Sequence, residues 1–127
     1  MTVTSTGLTS AMQGLAQALE APRRPGVPIG NWRWTIRQRL NDVRDALAAE
    51  TAQGSEGWLA ARERGLLHER THLLNRLDAL APSVLESPDL EEVGASLRRL
   101  LHDLAHHLQR VHDLAYDEVE LELGGSE

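Results

Sequence analysis

From Leu90 to Val119 an apolar or small residue returns at every third or fourth position: Leu90, Val93, Leu97, Leu100, Leu104, Leu108, Val111, Ala115 and Val119. That spacing keeps one face of an α-helix apolar for about eight turns, and a strand, with its period of two, would scatter the same residues over both faces. Two shorter stretches repeat the pattern. Trp32, Ile36, Leu40, Val43 and Leu47 form one stripe; Leu59, Leu66, Leu73, Leu77 and Leu80 form another, widened by Leu67 and Leu74. The stripes are built from leucine, with alanine abundant, no phenylalanine and a single tyrosine, so the residue types agree with the period.

Helix boundaries follow from the punctuation. Asn31 is an expected N-cap and Gly54 an expected stop for a helix over 31–52; Gly54-Ser55 then turns directly into a second helix that Pro82 ends. Ser87-Pro88-Asp89 opens the third, and Gly124-Gly125 closes it. Upstream, Leu8, Met12, Leu15 and Leu19 mark a short amphipathic helix over 8–20, separated by Ala21 to Pro28, which carries three prolines. The expected fold is all-α: an antiparallel three-helix bundle over 29–127 with a long third helix, plus a short, mobile N-terminal helix on a Pro-rich linker within 1–28. At 1.5 Å per residue the third helix should overshoot the others by about two to three turns, leaving Leu114, Val119, Leu121 and Leu123 in need of cover.

With no cysteine there are no disulfides, thiolate nucleophiles or thiolate metal sites. The first ten residues lack a secretory h-region and no apolar run reaches membrane-spanning length, so a cytoplasmic location is expected. A net charge of −6 argues against general nucleic-acid binding. Charge is unevenly spread: Arg23, Arg24, Arg33, Arg37, Arg39 and Arg44 face only Asp42 within 21–44, while 113–127 holds acids and no base. Electrostatic docking between these regions, within a dimer or with a partner, is one expectation. Glu63 and Arg70 fall inside the second helix's apolar arc and must be paired there, Arg37 or Arg44 being candidates to meet Glu63.

Six histidines raise the question of metal. His68/His72 and His102/His106 are both H-x-x-x-H, which puts two imidazoles on one helix face. The arrangement resembles the hemerythrin-type bundle, a resemblance that implies a di-iron centre held by histidines and carboxylates. It covers only the second and third helices, lacks the family's His-x-x-x-Glu element, and finds no histidine in the 31–52 helix. Phase separates the alternatives further. With Leu104 at zero, His102, His106 and Asp113 lie about 160–200° away, while His107 and His112 sit at the flanks. Outward-facing pairs suit a surface Zn²⁺ site using His102, His106 and Asp113, with His68 and His72 as a second pair, better than a buried centre.

No nucleophile triad, phosphate loop or dinucleotide fingerprint is present. The expected function is therefore non-catalytic, without cofactor: a protein–protein interaction or regulatory module, homodimeric through the third helix. A metal-binding sensor or redox protein is the alternative. Expected contact residues are Trp34, out of phase with its stripe and flanked by Arg33 and Arg37, together with Tyr116 and Val119.

Overall fold

The computed structural model describes residues 3–20, 28–49 and 60–125, with side chains for 7–20, 28–49 and 61–117. Four helices make up this part of the chain: α1 (Val3–Glu20), α2 (Ile29–Ala48), α3 (Ala60–Glu86) and α4 (Leu90–Gly125). No strand occurs among the described residues. None of these helices is long and apolar enough to cross a membrane. The Ala21–Val27 part of the expected linker, the Gly54-Ser55 turn and Leu59 lie outside the described residues.

The three-helix count needs correction. The N-terminal helix begins at Val3 rather than Leu8, and it packs on both α2 and α4 as a full member of the bundle. Leu8 and Leu15 are completely buried and Leu19 nearly so. They share one core with Ile36, Leu40, Val43 and Leu47 of α2, Leu73, Leu77 and Val84 of α3, and Val93, Leu97, Leu100 and Leu104 of α4. The i, i+4, i+7 spacing of Leu8, Met12, Leu15 and Leu19 had shown an amphipathic helix; what it could not show is that the other three helices leave a corner open for it.

Three boundaries differ from expectation, each for a local reason. Pro28, in an extended conformation (φ −60°, ψ 140°), stands as the N-cap of α2. Its carbonyl accepts the Asn31 N–H at 3.0 Å, so Asn31 is already inside the helix. Pro82 does not end α3, which continues to Glu86 despite the missing N–H. The extra turn is held by tertiary contacts: Val84 is fully buried, and the Arg33 guanidinium of α2 donates to the carbonyls of Val84 (3.2 Å) and Ser87 (2.6 Å). Those are carbonyls a helix end otherwise leaves unsatisfied. For α4 the cap is Asp89 rather than Ser87. Its carboxylate accepts the Glu92 N–H at 3.1 Å, while Ser87 Oγ accepts the Asp89 N–H at 3.2 Å.

Contacts between helices set their directions and levels. Arg33, early in α2, meets the end of α3, and Arg44, later in α2, meets Asp78 at 2.7 Å, so α2 and α3 run oppositely. Only four residues of α2 remain beyond Arg44, whereas α3 reaches back from Asp78 to Ala60. The α3–α4 pair therefore extends roughly 20 Å past the end of α2. α1 begins at about the level where α2 ends, because Gly7, Ser10 and Gly14 lie along Arg39, Asp42 and Asp45 across an open cleft. Among the described residues, four helices form a body from which α3 and α4 continue as a stem. The sequence had suggested that α4 alone would overshoot. Instead α3 accompanies it to the level of Asp117, where Arg62 pairs with that residue.

Because α1 belongs to the core, Leu15→Ala should cost about 2–5 kcal/mol in urea unfolding. Gln13→Ala, on the exposed side of the same helix, should stay within about 0.5 kcal/mol. Equal and small effects of the two would show that α1 is not part of the cooperative unit.

Candidate functional site

The α3–α4 seam carries more chemistry than any other part of the described structure. On α3, Arg62, Glu69 and Arg76 recur every seventh residue; on α4, Asp103, Arg110 and Asp117 do the same. Seven residues are close to two helical turns, so each set forms a column beside the apolar seam. The columns meet in opposite order. Arg62 pairs with Asp117, Arg110 clasps Glu69 with both Nε (3.2 Å) and a terminal nitrogen, and Arg76 meets Asp103 at 2.6 Å. Charge alternates along both columns. A slip by one heptad would set Arg62 against Arg110 and Glu69 against Asp103, like facing like. Exposed ion pairs are worth about 0–1 kcal/mol each, so the ladder acts mainly by excluding wrong registers.

Inside the ladder lies His107, fully buried at a position where the stripe would place a leucine. Its Nδ1 is 2.6 Å from Glu69 Oε1. Glu69 thus binds α4 through two residues, His107 within the seam and Arg110 at its edge. Burial pushes the Glu69 carboxyl upward, but the hydrogen bonds from Arg110 and His107 outweigh it, and the group is held below its ordinary value. The hydrogen bond from Arg76 likewise lowers Asp103 against a smaller opposing effect of burial. Glu63, about two turns before Arg70, is half-buried. Its Oε2 has no hydrogen-bond partner among the described residues. The expected pairing of Glu63 with Arg44 does not form, since Arg44 lies on α2 beside Asp78.

The candidate contact residues are dispersed. Trp34 is 61% exposed on α2, at the far end from the stem, and Tyr116 is 65% exposed on the stem. Arg33 is committed to the end of α3, and Arg37 is half-buried. Leu114, expected to need cover, is already buried at 7% exposure within the chain, while Val119 is helical with its side chain outside the described residues, as are those of Leu121 and Leu123. Of the basic cluster, Arg39 sits 3.9 Å from Asp42 and Arg44 pairs with Asp78, so part of its charge is met within the chain.

The candidate ligands are dispersed as well. His68, His72 and His112 are exposed. Asp113 accepts a hydrogen bond from Gln109 at 3.0 Å, away from His102 and His106. Among the described residues no three of His, Asp or Glu converge as a metal cage would require. His102 and His106 do come together, with Nε2 atoms 3.3 Å apart. The periodicity reading put His107 at a flank and missed both its burial and the seven-residue charge columns. The columns were legible, but only once the opposite run of α3 and α4 supplied the pairing.

Comparison with known protein families, curated proteins and solved structures finds no match to this chain.

Since the folded state depresses Glu69, its contribution to stability is complete above the ordinary value of 4.5 and is lost as pH falls through the lower folded value. Unfolding free energy should be flat in this respect from pH 7 to about 5 and fall below that. Glu69→Gln should lower the pH 7 plateau by about 1–3 kcal/mol and make the acid limb shallower. A wild-type acid limb identical to that of the variant would exclude Glu69 as its source.

Proposed function

We propose that this protein is a non-catalytic helical interaction module that works as a homodimer, with the α3–α4 stem as the contact surface. The observation that carries this reading is the level difference between the helices. Within the body, α1 and α2 complete the core; beyond their ends, Leu114 of α4 is buried, Leu66 and Leu67 of α3 and Val111 of α4 are half-buried, and Tyr116 is largely exposed. Two antiparallel helices present half of a bundle core. A second copy, related by a twofold axis, supplies the other two helices and continues the four-helix cross-section through the stem. Such a contact is self-complementary, which a twofold requires, and it needs no third molecule.

Trp34 stands apart from this surface. A large aromatic at 61% exposure near Arg37 fits a second, smaller contact with an unlike protein partner, and the dimer would display two copies of it. This reading involves neither nucleic acid nor membrane, and it fits a cytoplasmic protein.

Sedimentation at about 10 μM should give twice the 14.0 kDa chain mass. Val111→Glu with Tyr116→Ala should give a monomer of unchanged helix content, because both positions lie outside the four-helix core. Trp34→Ala should leave the dimer intact. A wild type that sediments as a monomer at this concentration would refute the homodimer.

A further inference from the structure

His102 and His106 form a geometry that the interaction reading does not use. Four residues apart on α4, they project from one face, both exposed, with ring centroids 4.5 Å apart and planes at 60°. Their Nε2 atoms are 3.3 Å apart. Two imidazole nitrogens at ordinary zinc bond lengths of 2.0–2.1 Å, spanning a tetrahedral angle, are separated by about 3.3–3.4 Å. The helix thus already holds the two donors at the bite of a chelate.

The surroundings favour the same atoms. His102 Nδ1 faces Asp103 Oδ1 at 3.5 Å, and Asp103 is itself fixed by Arg76 of α3 at 2.6 Å. A carboxylate on this side of the ring favours the proton on Nδ1, which leaves the Nε2 lone pair free to face outward as a donor. In that tautomer, and without metal, the lone pair would accept the Nε2–H of His106. When an ion takes its place, His106 shifts to its other tautomer with Nδ1–H, and both Nε2 atoms face the ion. The second H-x-x-x-H pair differs in each respect. Between the His68 and His72 rings there is no comparable contact, and the carboxylate next to His68, that of Glu69, is occupied by His107 and Arg110.

We propose that His102 and His106 chelate one borderline divalent ion of the zinc, copper or nickel class, with water in the remaining positions. Imidazole pairs select such ions over magnesium or calcium, which require oxygen donors. The site is complete within one chain and does not depend on the dimer.

The test is calorimetric titration of tag-free full-length protein with ZnCl₂ and, separately, NiCl₂ in a non-coordinating buffer, with MgCl₂ as control. One zinc or nickel ion per chain is expected, and none of magnesium. His102→Gln and His106→Gln should each weaken binding at least tenfold. The double variant His68→Gln/His72→Gln should change it less than twofold. Imidazole ¹⁵N spectra should shift for His102 and His106 at the first equivalent, a readout independent of the heat. All four positions are exposed, and circular dichroism confirms that each variant stays folded. Absence of zinc and nickel binding, binding that survives loss of His102 and His106, or binding abolished by the His68/His72 variant would each overturn the proposal.

Discussion

The Glu69 carboxylate joins the two longest helices at the level where the rest of the bundle stops. Oε1 meets the buried His107 ring and accepts from Arg110 Nε, while Oε2 accepts from a terminal nitrogen of Arg110. Below this point four helices share a leucine core; above it, among the described residues, α3 and α4 continue as a pair. An apolar seam between two helices can slide by a heptad with little loss, because leucines at equivalent positions are interchangeable. Charges of alternating sign cannot. Arg62, Glu69 and Arg76 each find an opposite charge on α4 in one register, and like charges a heptad away. With α3 fixed on α4, Asp78 is fixed for Arg44, and the last carbonyls of α3 are fixed for Arg33, so α2 is placed in turn.

Much of this was legible in the residues. The stripes of α2 and α4 predicted which side chains are buried: Ile36, Leu40, Val43 and Leu47 on one, Val93, Leu97, Leu100 and Leu104 on the other. Trp34 was expected outside its stripe, and it is exposed. Levels were not legible. Placing Gly54-Ser55 as a tight turn aligned the ends of α2 and α3, and that left α4 as the sole overhang. Nor was the persistence of α3 through Pro82, since its last turn depends on an arginine 51 positions away in sequence. His107 shows the limit of phase arguments. A ring some 60° from the centre of a stripe can be exposed or buried, and the acid facing it from another helix decides which.

The same levels shape the functional reading. The α3–α4 stem, with Leu66, Leu67 and Val111 half-buried, has among the described residues the form of an incomplete bundle layer. Arginines that the sequence offered as docking charges are partly used inside the chain, Arg33 as a helix cap and Arg44 as an ion pair. The proposed interaction surface is therefore placed on the stem, where half-buried apolar side chains remain. The ladder also reaches the outer face, where Asp103 answers Arg76 on one side and lies 3.5 Å from His102 Nδ1 on the other.

The relative level of α2 and α3 can be measured directly. The chain has no cysteine, so paired spin labels on introduced cysteines report only the chosen positions. Ala48, Ala61 and Asn75 are suitable: Ala48 ends α2, and Ala61 and Asn75 lie on α3, all three exposed. If the four-helix body ends near Leu73, Ala48 stands beside Asn75, and Ala61 lies roughly 20 Å further along the axis. Pulsed dipolar spectroscopy should then give a 48–75 distance shorter than the 48–61 distance by about 10 Å. The reverse order, with Ala48 nearer Ala61, would mean that α2 and α3 form a tight hairpin of level ends, and that there is no two-helix stem.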